Sequence, residues 1–269
     1  WYEGSLLTRE DNSLYFLYEE IQALTDYFSE FIYLGRHQQL GYFTCELNQW
    51  HSFFDHMELL NLRKASLTIS GFHLGLLYHS QGMINWHKNH PYCSKCGNST
   101  RMTHSGHERK CNNPGCNRSH YPKIDPAVIF SVVNNTGPES KILLARQAGW
   151  DEHRHSVLAG YVEPGETLED TVKREALEET GLQVENIVYE GSQPWPFPGQ
   201  IMLGFSSQTS QWDINLIDLE LESARWFSAA EIDSKVNKGK LKMPFQASIS
   251  WQLVNTWFRQ QTGYELKKS

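Results

Sequence analysis

Three glutamates close together in the sequence have the spacing of metal ligands. Glu175, Glu178 and Glu179 stand at positions i, i+3 and i+4, which puts all three carboxylates on one face of a helix. Like charges at this spacing destabilise a helix by roughly 0.2–0.5 kcal/mol per pair. The cations beside them are Lys173 and Arg174. Because carboxylate oxygens suit Mg²⁺ or Mn²⁺, which would neutralise the cluster, the sequence predicts a divalent metal site.

The surrounding residues predict a helix that carries these glutamates. Thr167, followed three residues later by Asp170, is a variant of the capping box, and Gly181 is placed to end the helix in the left-handed conformation. Glu166 precedes the helix, where we expect it to pair with Arg174 and orient the loop. An apolar residue recurs every four positions and would hold the helix against a core: Leu168, Val172 and Ala176.

Four of the five cysteines form a second candidate metal site. They occur as a C-x2-C pair and a C-x4-C pair in one polar stretch: Cys93, Cys96, Cys111 and Cys116. Four thiolates complete a tetrahedral Zn²⁺ site and leave no open position for a water, so the ion would be structural. His104 and His107 lie between the pairs and are alternative ligands. Clustered thiols also favour a reducing, intracellular compartment over a disulfide framework.

The composition is that of an ordinary globular protein. The chain has 269 residues, 39% hydrophobic and 20% charged, which suffices for one large or two modest domains. A net charge of −7 argues against a broad surface for duplex nucleic acid, and no apolar run reaches the roughly 18–20 residues of a membrane span. We expect no membrane association and a cytoplasmic location. An organelle stays open, because the chain begins at Trp1 and a targeting segment could be missing.

Strand and helix signals divide the chain into three predicted domains. Residues 1–88 form an N-terminal α/β domain, with strands at 12–20 and 31–34 and a helix or strand at 67–81. Residues 89–122 form a zinc ribbon. Residues 123–269 carry the acidic helix, a terminal helix at 248–261, and strands at 127–133, 141–146, 183–192, 201–209 and 221–227, with 156–161 a strand or a loop. The pattern predicts an α+β protein whose third domain is an α/β/α sandwich with a mixed sheet.

Residues 192–198, with the sequence SQPWPFP, form a stiff loop of prolines and aromatic residues. Such a loop loses little entropy on binding, and Trp195 and Phe197, beside Pro198, could stack on nucleotide bases. A packing corner of proline and aromatic side chains is the alternative. Composition alone leaves both roles open.

The acidic helix and its flanks resemble a complete Nudix box, G-x5-E-x7-R-E-U-x-E-E-x-G-U with U apolar. Every fixed position is filled: Gly160, Glu166, Arg174, Glu175, Ala176, Glu178, Glu179, Gly181 and Leu182. Together with the cysteine ribbon and the ARWF stretch at 224–227, SQPWPFP resembles the NADH pyrophosphatase family of Nudix hydrolases, whose motif reads S-Q-P-W-P-F-P-x-S. Gln200 departs from its final Ser. The resemblance covers roughly residues 90–257, and residues 1–89 by position only.

This resemblance implies a Nudix fold and Mg²⁺- or Mn²⁺-dependent hydrolysis of the pyrophosphate of NADH, and less readily NAD⁺, to nicotinamide mononucleotide and AMP. It also implies removal of NAD caps from RNA 5′ ends, and a homodimer to which residues 1–88 contribute. The metal ligands would be the carbonyl of Ala159 with Glu175, Glu179 and Glu220, although Glu220 could instead face solvent. Which glutamate acts as base, with Glu178 among the candidates, is left open.

The resemblance further implies a set of residues that line the dinucleotide site: Tyr121, Tyr161, Gln193 and Ala247, with Tyr161 stacking on the nicotinamide or the base. Two other classes of function stay open. One is a Nudix enzyme for ADP-ribose, CoA or diadenosine polyphosphates, against which the SQPWPFP stretch argues. The other is a non-enzymatic protein whose zinc ribbon binds nucleic acid or a partner, against which the intact glutamate set argues.

Overall fold

A computed structural model describes residues 1–9, 14–216 and 220–267 of the chain. The chain divides into two compact units, the first made of residues 1–124 and 196–199, the second of residues 125–195 and those from 200 onward. The functional boundaries expected at residues 88 and 122 stay a prediction. No helix within the described ranges is long and apolar enough to cross a membrane.

The first unit combines an N-terminal α/β part with a three-stranded ribbon. Its strands are β1 (Leu6–Thr8), β2 (Ile32–His37), β3 (Leu40–Thr44), β4 (Glu58–Leu60), β5 (Thr100–Thr103), β6 (Glu108–Cys111) and β7 (Ser119–His120). Its helices are α1 (Tyr18–Ile21), α2 (Leu62–Ala65) and α3 (Gly71–Asn89). Strand β1 pairs with β4, β2 pairs with β3, and β6 lies between β5 and β7. Buried residues of α3 pack with Trp1, Ile32 and Leu62 in one core.

The secondary structure of this unit corrects the predicted strand at 12–20 and shows that the segment 67–81, left as helix or strand, is mostly helix. The strand predicted at 12–20 is wrong over its described part, because residues 14–17 have no regular structure and α1 begins at Tyr18. The backbone N–H of Leu17 donates to the Glu20 carboxylate at 2.7 Å and caps this helix. Residues 12 and 13 lie outside the described residues. The strand predicted at 31–34 is present within β2, and 67–81 is mostly helix α3.

The second unit is built on a mixed sheet. Its strands are β8 (Asp125–Asn134), β9 (Lys141–Gln147), β10 (Leu158–Tyr161), β11 (Glu185–Trp195), β12 (Gln200–Gln208) and β13 (Leu221–Ser228). In the described part of the chain they form one six-stranded sheet in the order β11–β12–β8–β9–β13, with β10 paired to β8. Strands β12 and β8 run parallel and the other pairs antiparallel. The predicted strands of this region are confirmed, and the segment 156–161, left as a strand or a loop, contains strand β10.

Helices cover both faces of this sheet: α4 (Leu168–Thr180), α5 (Ala229–Asn237) and α6 (Ile249–Thr262). Strand side chains alternate between the two faces. Val128 and Phe130 pack on the α4 side with Val172, whereas Ile129 packs on the other side with Phe258 of α6. The predicted α/β/α sandwich is therefore confirmed, with α4 and α6 where the sequence predicts helices and α5 in addition.

Candidate active site and four-cysteine site

Helix α4 begins and ends at the predicted residues. The Thr167 hydroxyl accepts a hydrogen bond from the backbone N–H of Asp170 at 3.2 Å. Gly181 follows the helix with a φ of 71° and donates its N–H to the carbonyl of Leu177 at 2.8 Å. Because both ends are capped and the apolar stripe is buried on the sheet, the glutamates project from a fixed position.

Arg174 joins the acidic face of α4 to the loop that precedes the helix. Its guanidinium forms a bidentate ion pair with Glu166, at 2.6 Å from Nε and 2.9 Å from Nη2, which confirms the predicted pairing. Its Nη1 donates to Glu175 at 2.8 Å and Glu178 at 2.9 Å, and Nη2 also donates to the carbonyl of Tyr161 at 2.9 Å. This guanidinium lowers the pKa of Glu166 to about 2, so the Glu166 carboxylate is ionised at neutral pH.

Glu175 lies directly against Gly160 of β10. A Cβ at position 160 would come within 1.9 Å of the Glu175 Cδ, so only glycine leaves room for the carboxyl group. Burial raises the pKa of Glu175 despite the neighbouring guanidinium, and the charges of Glu178 and Glu220 raise it further. Glu179 is buried, with 2% of its surface exposed. Clustered, partly desolvated carboxylates are the oxygen donors that Mg²⁺ and Mn²⁺ prefer, so the residues fit such an ion.

The other two predicted metal ligands flank this group. Ala159 precedes Gly160 on β10 and pairs with Ile129 of β8. Glu220 is exposed immediately before β13, and its negative charge contributes to the raised pKa of Glu175. The positions of both residues are compatible with metal binding, which stays a prediction for each of them.

The four cysteines converge on one point in the first unit. Their Sγ atoms all lie within 4.8 Å of one another, with Cys93 to Cys116 at 3.8 Å and Cys96 to Cys111 at 3.5 Å. A tetrahedral ion with Zn–S bonds of about 2.3 Å separates its sulfurs by about 3.8 Å. The spacing therefore fits zinc. Within the described ranges, no other group of three or more His, Cys, Asp or Glu converges in this way.

Backbone N–H groups donate hydrogen bonds to the sulfur atoms of this site. The N–H of Lys95 donates to Cys93 Sγ and that of Asn113 donates to Cys111 Sγ, each at 3.4 Å, so the two turns are alike. The backbone N–H of Asn98 is the largest of the effects that lower the pKa of Cys96 to about 6. Burial raises the pKa of Cys111 to about 12, so a metal ion has to displace a proton from that thiol.

The two alternative ligands predicted for this site have other partners. His104 forms an ion-pair contact with Glu108, and His107 Nε2 lies 2.6 Å from the carbonyl of Tyr33. The geometry therefore favours a site made of the four cysteines alone.

Comparison with known proteins identifies the second unit. Residues 124–246 match the family profile of the NUDIX domain. The second unit is built on a NUDIX domain. The chain is similar in fold to the crystal structure of a NUDIX hydrolase from Nitrosomonas europaea, with a TM-score of 0.51 and 21% identity over 66% of this chain and 96% of that one.

Three relatives are similar in sequence. NAD-capped RNA hydrolase NUDT12 of Homo sapiens is 33% identical over 204 residues, 72% of this chain and 44% of that protein. The mitochondrial NAD(P)H pyrophosphatase NUDT13 of Homo sapiens is 35% identical over 217 residues, 76% of this chain and 60% of that protein. NAD-capped RNA hydrolase NudC of Pasteurella multocida is 37% identical over 164 residues, 61% of each. The chain thus spans 44% to 61% of the length of these relatives.

Two predicted substrate-binding residues of the NUDIX unit are in contact. Gln193 on β11 donates from Nε2 to the carbonyl of Ala247 at 2.7 Å, and its Oε1 accepts from the backbone N–H of Ile249 at 2.9 Å. This side chain therefore fixes the start of α6 to the sheet.

Tyr161 is 54% exposed at the end of β10, where its hydroxyl accepts a hydrogen bond from Gln200. Its ring has an accessible face on which a planar group could stack.

The tip of the SQPWPFP loop packs within the first unit. The ring of Phe197 lies edge-on to Tyr78, with centroids 6.2 Å apart. Asn85 of α3 donates from Nδ2 to the carbonyls of Pro196 at 3.3 Å and Pro198 at 2.8 Å. Of the two roles that the sequence leaves open, stacking on a base or packing in the fold, these contacts favour packing for Phe197. Asn85 is not predicted from the sequence, because a lone Asn inside a helix belongs to no recognisable motif.

The remaining predicted substrate contacts lie in different units. Trp195 ends β11 in the NUDIX unit and is half-buried, whereas Tyr121 is 61% exposed in the first unit. Their role in stacking stays a prediction.

We expect Gly160→Ala to lower turnover strongly while the protein stays folded. The new Cβ would lie 1.9 Å from the Glu175 Cδ, and real Cβ contacts stay above 3.0 Å, so the carboxyl group has to move. A displacement of about 1 Å at a reacting centre can cost on the order of 100-fold in rate. Steady-state kinetics with Mg²⁺ measures the effect.

Gly75→Ala is the matched control, since Gly75 is exposed on α3 with open space around it. It should leave turnover unchanged and stabilise the helix by about 0.5–1 kcal/mol. Equal turnover in Gly160→Ala and wild type would contradict a role for Glu175 in this position.

Proposed function

We propose that this chain hydrolyses the pyrophosphate bond of NADH, and less readily that of NAD⁺, to give nicotinamide mononucleotide and AMP. The observation that carries the proposal is the acidic face of α4 on a NUDIX domain, with Glu175 seated against Gly160 and Glu179 buried beside it. Relatives named NAD(P)H pyrophosphatase and NAD-capped RNA hydrolase support the choice of substrate, as does the SQPWPFP stretch. Removal of NAD caps from RNA is the second activity that we propose.

The reaction transfers one phosphoryl group to water. The water oxygen bonds to one phosphorus, the bond from that phosphorus to the bridging oxygen breaks, and two phosphate monoesters leave. The carbonyl of Ala159 with Glu175, Glu179 and Glu220 would hold Mg²⁺ or Mn²⁺, which neutralises phosphate charge when bound. One of the α4 carboxylates, Glu178 among them, accepts the proton of the water. Arg174 and Glu166 orient these carboxylates through the ion pairs described above.

The other parts of the chain support this reaction in our proposal. Tyr161 stacks on the nicotinamide or the base, and the other substrate contacts are made by Tyr121, Gln193, Ala247, Trp195, Phe197 and Pro198. The four cysteines hold one structural Zn²⁺ ion. Residues 1–88 contribute to a homodimer, 89–122 form the zinc ribbon and 123–269 form the hydrolase domain. We place the protein in an intracellular, reducing compartment.

A substrate panel tests the proposal. The chain is incubated with Mg²⁺ or Mn²⁺ and, separately, NADH, NAD⁺, ADP-ribose, CoA, diadenosine tetraphosphate or NAD-capped RNA, and kcat/KM is compared. We expect the highest value for NADH. A higher kcat/KM for ADP-ribose, CoA or diadenosine tetraphosphate would refute NADH as the preferred substrate. It would still support hydrolysis of a pyrophosphate bond. Cleavage of none of them would favour a non-enzymatic module that binds through its zinc ribbon.

A further inference from the structure

A cavity of about 370 Å³ lies in the NUDIX unit, away from the acidic helix. Arg146 of β9 and Arg225 of β13 line it, and residues two apart on a strand share one face of the sheet. Leu144 and Phe227, their neighbours at that spacing, pack in the core on the α6 side. Val172 of α4 packs in the core on the opposite side. The cavity therefore opens on the face of the sheet opposite the α4 glutamates.

Positive charge predominates around this cavity. Four cationic and two acidic side chains line it, which leaves an excess of two positive charges: Arg146, Arg225, Lys235 and Lys240 against Glu152 and Glu222. Arg146 pairs with Glu222 and also donates to two backbone carbonyls, so this guanidinium is fully engaged. Glu152 lies 3.5 Å from the ring of His153 and is largely exposed.

The other three cations, Arg225, Lys235 and Lys240, make no ion pair with any residue that the structure describes. Lys235 stands in the last turn of α5, where the helix dipole favours a positive charge. The helix dipole does not account for the positive charge of Arg225, which lies on a strand, or of Lys240, which follows the helix. Three like charges around one cavity repel each other unless an anion lies between them.

The rest of the lining suits a ligand that also has a non-ionic part. His155 is buried against the ring of Phe227, with centroids 5.8 Å apart. Burial lowers the pKa of His155, and the charges of Arg225 and Arg146 lower it further, so this imidazole is neutral at pH 7. Leu241 adds apolar surface and Ser223 adds a hydroxyl. A lining that combines charged donors with some aromatic and aliphatic surface is typical of sites for small phosphorylated molecules.

We propose that this cavity is a second anion site, which binds a compact ligand bearing phosphate groups through Arg225, Lys235 and Lys240. Its volume falls in the range of about 300–1,000 Å³ that small-molecule sites occupy. The site does not depend on NADH hydrolysis, since it lies across the sheet from α4. Free phosphorylated molecules and the phosphates of an RNA strand share the chemistry that would bind here. The volume of about 370 Å³ matches a compact free molecule, which is why we choose it over an RNA strand.

Isothermal titration of the full chain with inorganic pyrophosphate tests the site. No divalent cation is added, so that the α4 carboxylates repel the probe. We expect one pyrophosphate per chain in the wild type, with affinity lowered about tenfold or more in Arg225→Gln and in the double variant Lys235→Gln/Lys240→Gln. Lys238→Gln is the matched control, because Lys238 is exposed between the two lysines and does not line the cavity. It should bind like wild type.

Three results would overturn the proposal. The first is the absence of pyrophosphate binding to the wild type. The second is an equal loss of affinity in Lys238→Gln, which would indicate a diffuse positive field. The third is binding of a short uncapped oligoribonucleotide but not of pyrophosphate, which would assign these cations to RNA. Equal melting temperatures of wild type and variants show that a lost affinity does not come from unfolding.

Discussion

Glu179→Gln should reduce NADH hydrolysis by about 100-fold or more while the protein stays folded. The substitution keeps the size of the side chain and removes the charge that a divalent cation needs. Glu179 is buried on α4, so its carboxylate cannot be replaced by another side chain from solvent. Glu178→Gln should also lower turnover strongly, because Glu178 shares the Arg174 guanidinium with Glu175. Steady-state rates at saturating Mg²⁺ measure both effects.

Glu169→Gln is the control for these two variants. Glu169 lies on the same helix, is exposed in its first turn and fills no position of the Nudix box. It should retain wild-type turnover and lose only the small stabilisation that an acidic residue gives a helix N-terminus, about 0.3–1 kcal/mol. Near-wild-type turnover in Glu179→Gln would show that the acidic face of α4 does not perform the chemistry.

Cys96→Ser should remove the metal from the four-cysteine site and lower the melting temperature by about 10 °C. The four Sγ atoms of this site lie within 4.8 Å of one another, so the substitution removes one of the four ligands of a bound ion. The ribbon strands β5 to β7 are short, and metal binding would supply much of their folding free energy. Elemental analysis gives the zinc content and calorimetry gives the melting temperature.

Cys45→Ala is the matched control, because Cys45 is outside the cluster. Burial raises the pKa of Cys45 to about 11, so this thiol is protonated at neutral pH, and it has no second cysteine of the cluster beside it. One zinc per chain is expected in wild type and in Cys45→Ala. The same zinc content in Cys96→Ser would refute the four-cysteine site.

Local signals made much of the NUDIX unit predictable. The limits of α4 follow from Thr167 and Gly181, each of which acts on backbone groups within a few residues. The pairing of Glu166 with Arg174 also follows from sequence, since the Nudix pattern fixes both positions. Helix α5 also has a start signal in the sequence, because Ser228 and Glu231 form a full capping box.

Long-range contacts decide the features that the sequence left open. Phe197 meets Tyr78 across 119 positions, and nothing in SQPWPFP indicates this partner. Helix α1 begins at Tyr18 inside a predicted strand, where Glu20 caps it, although the aromatic residues of this stretch favour a strand. The cationic cavity joins Arg146 of β9 to Arg225 of β13, which are neighbours because these two strands pair in the sheet.

Product analysis of NADH is the most direct test of the proposed hydrolysis. The chain is incubated with NADH and Mg²⁺, and the products are separated by chromatography beside a sample without divalent cation. We predict equal amounts of AMP and reduced nicotinamide mononucleotide, and intact NADH in the sample without the cation. Intact NADH in both samples, or products cleaved at a bond other than the pyrophosphate, would contradict the proposed function.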